Sequence, residues 1–247
     1  MYAIITGASS GLGKEFAKIL SKKKYNIILV ARRKIELEKL KIELEEEGIN
    51  VMVIDLDLSQ NDNCYKLFNI VADININLLI NNAGAGYIGN FFDTDLDRQM
   101  KIIKLNIEAP QILTKLFIEK NSSGKIINIG SLAGCLPTPN HAVYSSSKAY
   151  INNFSRAINF ELKKNNKNIK ILTALPGPVK TEFSTNASAE INRGMDAQKC
   201  AKLILKASDK NKERIIPGLT FKILYFLIKI IPDKLLMKFA YNIQKSK

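Results

Sequence analysis

YAIITGASSGLG, residues 2–13, joins an apolar run to a turn of small residues. Residues 11–23 follow, with Leu12, Phe16 and Ile19 at the spacing of one helix face. Small residues let the backbone approach a pyrophosphate closely, and a helix N-terminus supplies amides that can hold it. A strand, a glycine-rich turn and a helix in this order therefore predict a dinucleotide-binding fold.

Strand-like and helix-like segments alternate along the rest of the chain. Apolar runs predict strands at residues 2–6, 26–31, 51–55, 78–80, 125–129, 169–174 and 214–216. Helices are expected between them, with Asp57, Leu58 and Ser59 capping the one over residues 60–74. This order predicts one α/β domain of the Rossmann type, a doubly wound parallel sheet of about seven strands with helices on both faces.

Composition narrows the class of protein. The 247 residues are 46% apolar and 24% charged, enough for one sizeable core, and no linker divides them. Cys64, Cys135 and Cys200 form no Cys-x-x-Cys pair, which argues against a disulfide framework and a metal site and favours a reduced compartment. The apolar start gives way to the glycine turn too soon for a signal peptide or anchor, so a cytoplasmic location is expected.

The chain is strongly basic, with a formal net charge of +14 and a pI near 9.6. Basic residues are spread throughout, and lysine, asparagine and isoleucine are frequent everywhere, which indicates a general bias of composition. No stretch interleaves arginines with aromatic residues as a base-stacking platform does. Nucleic-acid binding is therefore not expected.

Two arginines, Arg32 and Arg33, follow the second predicted strand. In a dinucleotide-binding fold an acidic residue here binds the 2′-hydroxyl of the adenosine ribose, whereas arginine suits a 2′-phosphate. The pair therefore predicts NADP(H) over NAD(H). The alternative is that both are solvated residues at the start of a helix.

Tyr144 and Lys148 are four residues apart, so on a helix they share one face. A phenol titrates near pH ~10, and an adjacent cation favours the phenolate. We therefore expect Lys148 to lower the pKa of Tyr144 toward the working range. Such a tyrosine can give a proton to a carbonyl oxygen or take one from an alcohol.

The motifs together resemble those of the short-chain dehydrogenase/reductase family. Thr-Gly-x-x-x-Gly-x-Gly at residues 6–13, Asn-Asn-Ala-Gly at residues 81–84 and Tyr-x-x-x-Lys at residues 144–148 occur in the family's order. The resemblance covers residues 2–218, so a dinucleotide-binding domain with catalytic site and lid is expected over residues 1–218. Residues 219–247 form an extension of the same domain.

The resemblance implies a catalytic set of Asn106, Ser131, Tyr144 and Lys148. Tyr144 would be the general acid, Ser131 would bond the substrate oxygen, and Lys148 would tune the tyrosine and bind the nicotinamide ribose. Asn106 would hold a water in a proton relay. Singly, Ser131 could be only a turn residue, and Asn106 could satisfy backbone groups in a helix kink.

The resemblance also implies the cofactor contacts. Besides Tyr144 and Lys148 these are Gly7, Ser9, Ser10, Leu12 and Gly13 on the pyrophosphate turn, Arg32 and Arg33 for the 2′-phosphate, Asp57 and Leu58 for adenine, Asn82, Ala83 and Gly84 along the cleft, and Pro176, Gly177, Val179 and Thr181 over the nicotinamide. One position departs from the family: many NADP-preferring members have a basic residue where this chain has Ser10. A mobile lid is expected over residues 185–200.

The C-terminal extension is apolar and basic. Residues 221–231 predict a helix too short to cross a bilayer, and a second amphipathic helix begins at Asp233. The pair could lie in a membrane interface, or it could cover the substrate cleft or a partner subunit. Either arrangement suggests a lipophilic substrate. His141 is expected to be a partly exposed loop residue or to line the substrate mouth, and Cys135 to be a pocket wall.

These observations predict NADPH-dependent reduction of a bulky ketone, such as an acyl or steroid-like substrate, to an alcohol. An alcohol or hydroxysteroid dehydrogenase working in the oxidative direction is the alternative among enzymes. A non-catalytic NADP-binding regulatory protein is the alternative from another class. The family resemblance also implies a homodimer or homotetramer.

Overall fold

The computed structural model of the protein describes residues 1–183 and 194–245. Its main sheet contains β1 Tyr2–Thr6, β2 Asn26–Ala31, β3 Val51–Asp55, β4 Ile76–Asn81, β5 Ser123–Ile129, β6 Asn168–Ala174 and β9 Arg214–Ile215, and a small second sheet pairs β7 Val179–Lys180 with β8 Met195–Asp196. The helices are α1 Gly11–Lys22, α2 Lys34–Glu45, α3 Asn61–Ile70, α4 Leu96–Ile103, α5 Ala109–Lys120, α6 Ala142–Lys164, α7 Ala197–Asp209, α8 Leu219–Ile228 and α9 Asp233–Lys245.

The main sheet has the strand order β3-β2-β1-β4-β5-β6-β9, and every pairing is parallel. The predicted doubly wound sheet of about seven strands is therefore confirmed. Its strands are apolar on both faces because helices cover both sides. One buried cluster packs α1, α2 and α7 on one face, and a second packs α3, α5 and α6 on the other.

The order of the strands reverses between β1 and β4, which lie side by side: β2 and β3 follow on one side of β1, and β5, β6 and β9 follow on the other side of β4. In open α/β sheets this reversal opens a crevice outside the carboxyl ends of the strands, where ligands bind. The glycine turn follows β1 and the Asn-Asn-Ala-Gly segment follows β4, so the fold brings both to the crevice.

One local prediction was wrong. Asp57 and Ser59 do not cap α3, which begins at Asn61; instead the Asp57 carboxylate accepts bonds from the Ser59 amide (3.0 Å) and hydroxyl (2.8 Å). Between α4 and α5 the helix passes through a π-helical turn over Lys104–Glu108, which contains Asn106. A π-turn widens a helix locally and often occurs at functional sites.

The C-terminal extension packs on the domain through one side only. Tyr225 and Ile228 of α8 and Leu236 of α9 form a third buried cluster with Leu132, which follows Ser131, and with Leu175. The inner side of the extension therefore packs against the turn after Ser131. Among the described residues no helix is long and apolar enough to cross a membrane.

Candidate active site

The glycine turn admits no larger side chains at two positions. Gly7 has a φ of +66°, and a Cβ there would lie 2.9 Å from Ala83 Cα. A Cβ on Gly13 would lie 2.2 Å from the Gly7 carbonyl oxygen. The start of α1 therefore lies close against the loop that follows β4.

The N-terminus of α1 fits a pyrophosphate. Its N-cap residue, Ser10, makes no side-chain capping bond, and the first turn contains no acidic residue. The first amides of the helix are thus not capped by a side chain, and the positive end of the helix dipole faces the crevice. Thr181 lies over this end, because a Cβ on Gly11 would lie 3.0 Å from Thr181 Cγ2.

Thr6 connects the two loops of the crevice. Its hydroxyl donates to the Ile80 carbonyl (3.2 Å) and accepts from the amides of Asn82 and Ala83 (2.9 Å each). The Asn82 side chain donates back to the Thr6 carbonyl (2.9 Å). Thr6 was not among the predicted site residues, although a hydroxyl at the end of an apolar strand was a signal for it.

Arg32 and Arg33 make different contacts. Arg32 is exposed, and its guanidinium is 3.8 Å from the Asp57 carboxylate. Arg33 donates to the Ser9 hydroxyl (3.2 Å) and carbonyl (3.3 Å) and pairs with Glu182 at 2.9 Å. Arg33 therefore lies on the glycine turn itself, whereas Arg32 points along the edge where an adenosine ribose would lie.

Asp57 and Leu58, the two predicted adenine contacts, have different surroundings. Burial raises the pKa of the Asp57 carboxyl, but the Ser59 hydrogen bonds and the charges of Arg32 and Lys101 outweigh it, so the pKa is lowered. Leu58 is buried in the core beside α3, so only its backbone is available to an adenine ring.

Asn106 lies in the π-turn and is buried. Its Oδ1 accepts from the Ala85 amide (2.9 Å), and its Nδ2 donates to the Ala85 carbonyl (2.8 Å) and to the Ser147 hydroxyl (2.9 Å). Ser147 in turn donates to the Tyr144 carbonyl (2.7 Å). Asn106 thus satisfies backbone groups, one of the two predicted alternatives, and also ties the loop after β4 to α6.

Lys148 is buried on α6, and its ammonium donates to the Ile129 carbonyl at 2.8 Å. Gly84 leaves space for it, because a Cβ there would lie 3.5 Å from Nζ and 3.2 Å from Asn106 Oδ1. Burial lowers the pKa of Lys148 from its ordinary value to about 8. Its Nζ lies 5.8 Å from the centre of the Tyr144 ring, as expected for residues four apart on one helix.

The Ser131 side chain lies beside the Tyr144 phenol, where its hydrogen bonding favours the phenolate. Burial raises the pKa of this phenol to about 12, and the Ser131 side chain opposes that rise. The direction is opposite to the predicted lowering by Lys148, because in the structure desolvation of the phenolate is larger than any attraction from that ammonium. At neutral pH Tyr144 is therefore a protonated donor.

Ser131 begins the short 3-10 turn Leu132–Cys135 and holds it by accepting from the Ala133 amide (3.1 Å). Asn152 of α6 donates to the Ser131 carbonyl (3.1 Å). Ser131 is thus a turn residue and also a partner of the tyrosine. Asn152 positions this turn and was not predicted.

Aromatic rings surround the Tyr144 side chain, which is partly exposed to the cleft. The His141 ring stacks on it with centroids 4.3 Å apart, and Phe183 lies 5.7 Å away. His141 is half-buried and lines the cleft mouth. Phe183 was missed because no periodic pattern or motif marks it.

The Pro-Gly turn, residues 176–181, also lies at this edge. The Pro176 carbonyl accepts from the Leu132 amide (3.0 Å), and a Cβ on Gly177 would lie 2.5 Å from the Phe221 ring. The tail helix α8 therefore supports the turn from outside. Val179 packs against the core, and residues 185–193 of the expected lid lie outside the described residues.

A parallel sheet with crevice, glycine turn and a Ser-Tyr-Lys set defines a nucleotide-dependent oxidoreductase site. The family model for short chain dehydrogenases matches residues 1–192. The chain belongs to the short-chain dehydrogenase family, whose members use NAD(H) or NADP(H).

The chain is similar to several individual proteins. The very-long-chain 3-oxoacyl-CoA reductase of Neurospora crassa is 34% identical over 182 residues, which are 70% of this chain and 55% of that protein. The chain therefore spans about half the length of this relative. A short-chain dehydrogenase from Sphingobium yanoikuyae, solved in complex with NADPH, is 29% identical with a TM-score of 0.82 over 88% of each chain. The bulky-bulky ketone specific alcohol dehydrogenase from Comamonas testosteroni is 29% identical, with a TM-score of 0.79 over 88% of this chain and 86% of that one.

Within residues 1–183 and 194–245, no three His, Cys, Asp or Glu side chains are grouped to hold a metal ion. The three cysteines are free, and burial raises the pKa of Cys64 and Cys200 to about 12.

Proposed function

We propose that the protein reduces the ketone of a bulky acyl substrate to an alcohol with NADPH. The observation that carries this proposal is the placement of Tyr144 beside Ser131, with the buried Lys148 ammonium 5.8 Å from the centre of the Tyr144 ring, at the carboxyl edge of the sheet. The names of the relatives support the substrate class, since they include a 3-oxoacyl-CoA reductase and a bulky-ketone dehydrogenase.

Each residue of the set has a separate task. Tyr144, protonated through the neutral range, gives its proton to the substrate oxygen. The Ser131 hydroxyl donates to the same substrate oxygen and stabilises the charge that develops on it. Lys148 holds the ribose side of the cleft with a cation that is fixed by Ile129 and by the bulk of α6. The bound dinucleotide supplies the hydride.

Arg32 and Arg33 support the choice of NADPH. Arg32 is exposed at the ribose edge with only a 3.8 Å partner, Asp57, so its guanidinium can turn to a 2′-phosphate. The chain has Ser10 where many NADP-preferring members have a basic residue. The Arg33 guanidinium on Ser9 supplies a positive charge to the same turn.

The outer face of the tail supports peripheral contact with a membrane. On α8 and just after it, Phe226 is 64% exposed and Ile230 80%, and on α9 Phe239 is 66% exposed. Lys222 and Lys238 lie among these apolar residues and suit an anionic bilayer. We place the tail on such a surface, and a homo-oligomer buried through the same face is the competing outcome. The cytoplasmic location stays a prediction.

The test is a panel of ketones with NADPH, including 3-oxoacyl thioesters and small polar ketones. Tyr144→Phe should lower kcat about 10³-fold, because general acid catalysis contributes about 10²–10⁴-fold, and NADPH affinity should change little. Tyr150→Phe is the matched control, since Tyr150 lies on the same helix but bonds Gln111 at the surface (2.5 Å).

The alternatives give other results. No turnover of any ketone by the native protein, with unchanged NADPH binding in Tyr144→Phe, would favour a regulatory NADP-binding protein. Faster oxidation of bulky alcohols with NADP⁺ than reduction under all cofactor ratios would favour a dehydrogenase.

A further inference from the structure

Two cations converge on one buried tyrosine beside the catalytic loop. The Arg214 guanidinium donates to the Tyr225 hydroxyl (2.7 Å), and its Cζ lies 5.1 Å from the centre of that ring. Lys229 Nζ lies 4.9 Å from the same centre. Tyr225 is only 7% exposed, so its ring is fixed and holds both charges at the surface.

Neither cation has an acidic partner. In the part of the chain that the structure describes, no carboxylate lies within 4 Å of Arg214 or Lys229, and the adjacent Glu213 pairs with Lys163. Both cations face the same ring, and an anion that contacts them would offset charges that no described carboxylate neutralises. The pair is therefore ready to receive an anion.

This pair lies on the substrate side of the sheet. Arg214 begins β9, which pairs with the carboxyl end of β6 at the edge where the catalytic loops lie. Both charges act on the Cys135 thiol and oppose the rise of its pKa that burial causes. Asn152, which holds the Ser131 carbonyl, also donates to Cys135 Sγ at 3.7 Å.

Apolar groups separate the cations from Ser131. Leu132 and Tyr225 belong to one buried cluster, and Leu136 and Phe221 pack against it. An elongated substrate with an anionic head and an apolar chain could lie along this surface with its carbonyl near Tyr144.

We infer that Arg214, Lys229 and the Tyr225 hydroxyl bind a phosphate group carried by the substrate. Arginine offers two parallel donors to phosphate oxygens, lysine adds a point charge, and the tyrosine hydroxyl, which accepts from Arg214, still has its own proton to donate. This inference rests on the proposed reduction of an acyl substrate and names the head group by which that substrate is recognised.

The test compares two substrates with the same 3-oxoacyl chain, a coenzyme A thioester and a neutral ethyl ester. Arg214→Gln and Lys229→Gln should each raise KM for the thioester about tenfold, the effect of one exposed charge-assisted contact, and leave kcat unchanged. KM for the ester should stay within twofold. Lys206→Gln, which removes an exposed cation on α7, is the matched control and should behave as the native protein.

Two further measurements separate the possible failures. Calorimetric titration of the NADPH-loaded protein with coenzyme A measures the site without turnover, and Arg214→Lys, which retains the charge, should partly restore its binding. If the native protein reduces both substrates but the glutamine variants raise both KM values equally, or neither, the phosphate site is refuted and the proposed reaction stands.

If the native protein reduces neither substrate, the proposed reaction fails, and titration with coenzyme A still decides on the site. The phosphate could also belong to a lipid. Flotation with vesicles that contain phosphatidic acid distinguishes this source: loss of flotation in Arg214→Gln, with unchanged KM for the thioester, would assign the site to a lipid head group and overturn recognition of the substrate.

Discussion

The crevice at the carboxyl edge of the sheet and the C-terminal extension are built in opposite ways. In the crevice, Thr6, Asn106 and Lys148 are 6% exposed or less, and each is hydrogen-bonded to a segment distant in sequence. In the extension, Phe226 and Ile230 are more than half exposed. Bonds within the protein therefore fix the crevice, whereas the outer face of the tail is left for another surface to cover.

The largest expected effect is on folding, through Thr6. Thr6→Val removes the acceptor of two partly buried amides, those of Asn82 and Ala83, and should lower the free energy of unfolding by about 2–4 kcal/mol. Urea unfolding of the native protein and of the variant measures this change in the free energy of unfolding.

Thr173→Val is the matched control for that variant. Thr173 is equally buried, but its hydroxyl has no hydrogen-bond partner among the described residues, so its loss should be neutral or stabilising. Equal destabilisation by the two variants would mean that the Thr6 bonds do not hold the crevice together.

The same contrast explains what sequence could predict. The glycine turn, Ser131 and Tyr144 follow from motifs, because backbone approach and proton transfer each require particular residue types at fixed spacing. Thr6, Asn152 and Phe183 were missed because their roles depend on which segments meet in space. The raised pKa of Tyr144 was also missed, since the depth of its burial is a property of the whole cleft.

Arg32 tests whether the edge of the crevice selects the cofactor. Arg32→Gln should raise Kd for NADPH about tenfold to a hundredfold, the effect of losing a charge-assisted contact to phosphate, and leave Kd for NADH within about threefold. Fluorescence titration of each cofactor gives both values. Native protein that binds NADPH and NADH equally would contradict the proposed preference.

The pKa of Lys148 predicts how the rate of reduction depends on pH. Its pKa of about 8 means that the ammonium is lost as the pH rises through 8, while Tyr144, at about 12, keeps its proton. The rate of reduction should therefore fall above pH 8, up to about tenfold per unit. A pH profile of kcat/KM measures it, and Lys148→Met should abolish that limb.

The effect of Lys148 on stability has the opposite sign. Between about pH 8 and its ordinary range, the unfolded chain binds a proton at Lys148 that the folded protein does not, so this group makes the free energy of unfolding rise with pH. Urea unfolding at pH 7 and pH 9 tests the sign after comparison with Lys148→Met. If kcat/KM for reduction stayed constant up to pH 10, the ammonium of Lys148 would not be required for the reaction.

The tail should give the smallest effect on chemistry. A Phe226→Ser and Ile230→Ser double variant removes apolar groups that are 64% and 80% exposed, so kcat for a water-soluble ketone should change less than twofold. Its flotation with anionic vesicles should fall severalfold, since burial of apolar side chains drives interfacial binding. Phe92→Ser is the control, because Phe92 is 85% exposed elsewhere on the molecule.

The outcome of the tail experiment also decides how independent the two regions are. Phe221, on the inner side of α8, packs on Gly177 of the turn that borders the cofactor site, so the tail touches the crevice through that side. A large loss of kcat in the outer-face variant would mean that covering the outer face changes the crevice as well. A dimer that dissociates in the variant, with no change in flotation, would assign the outer face to a second copy of the chain.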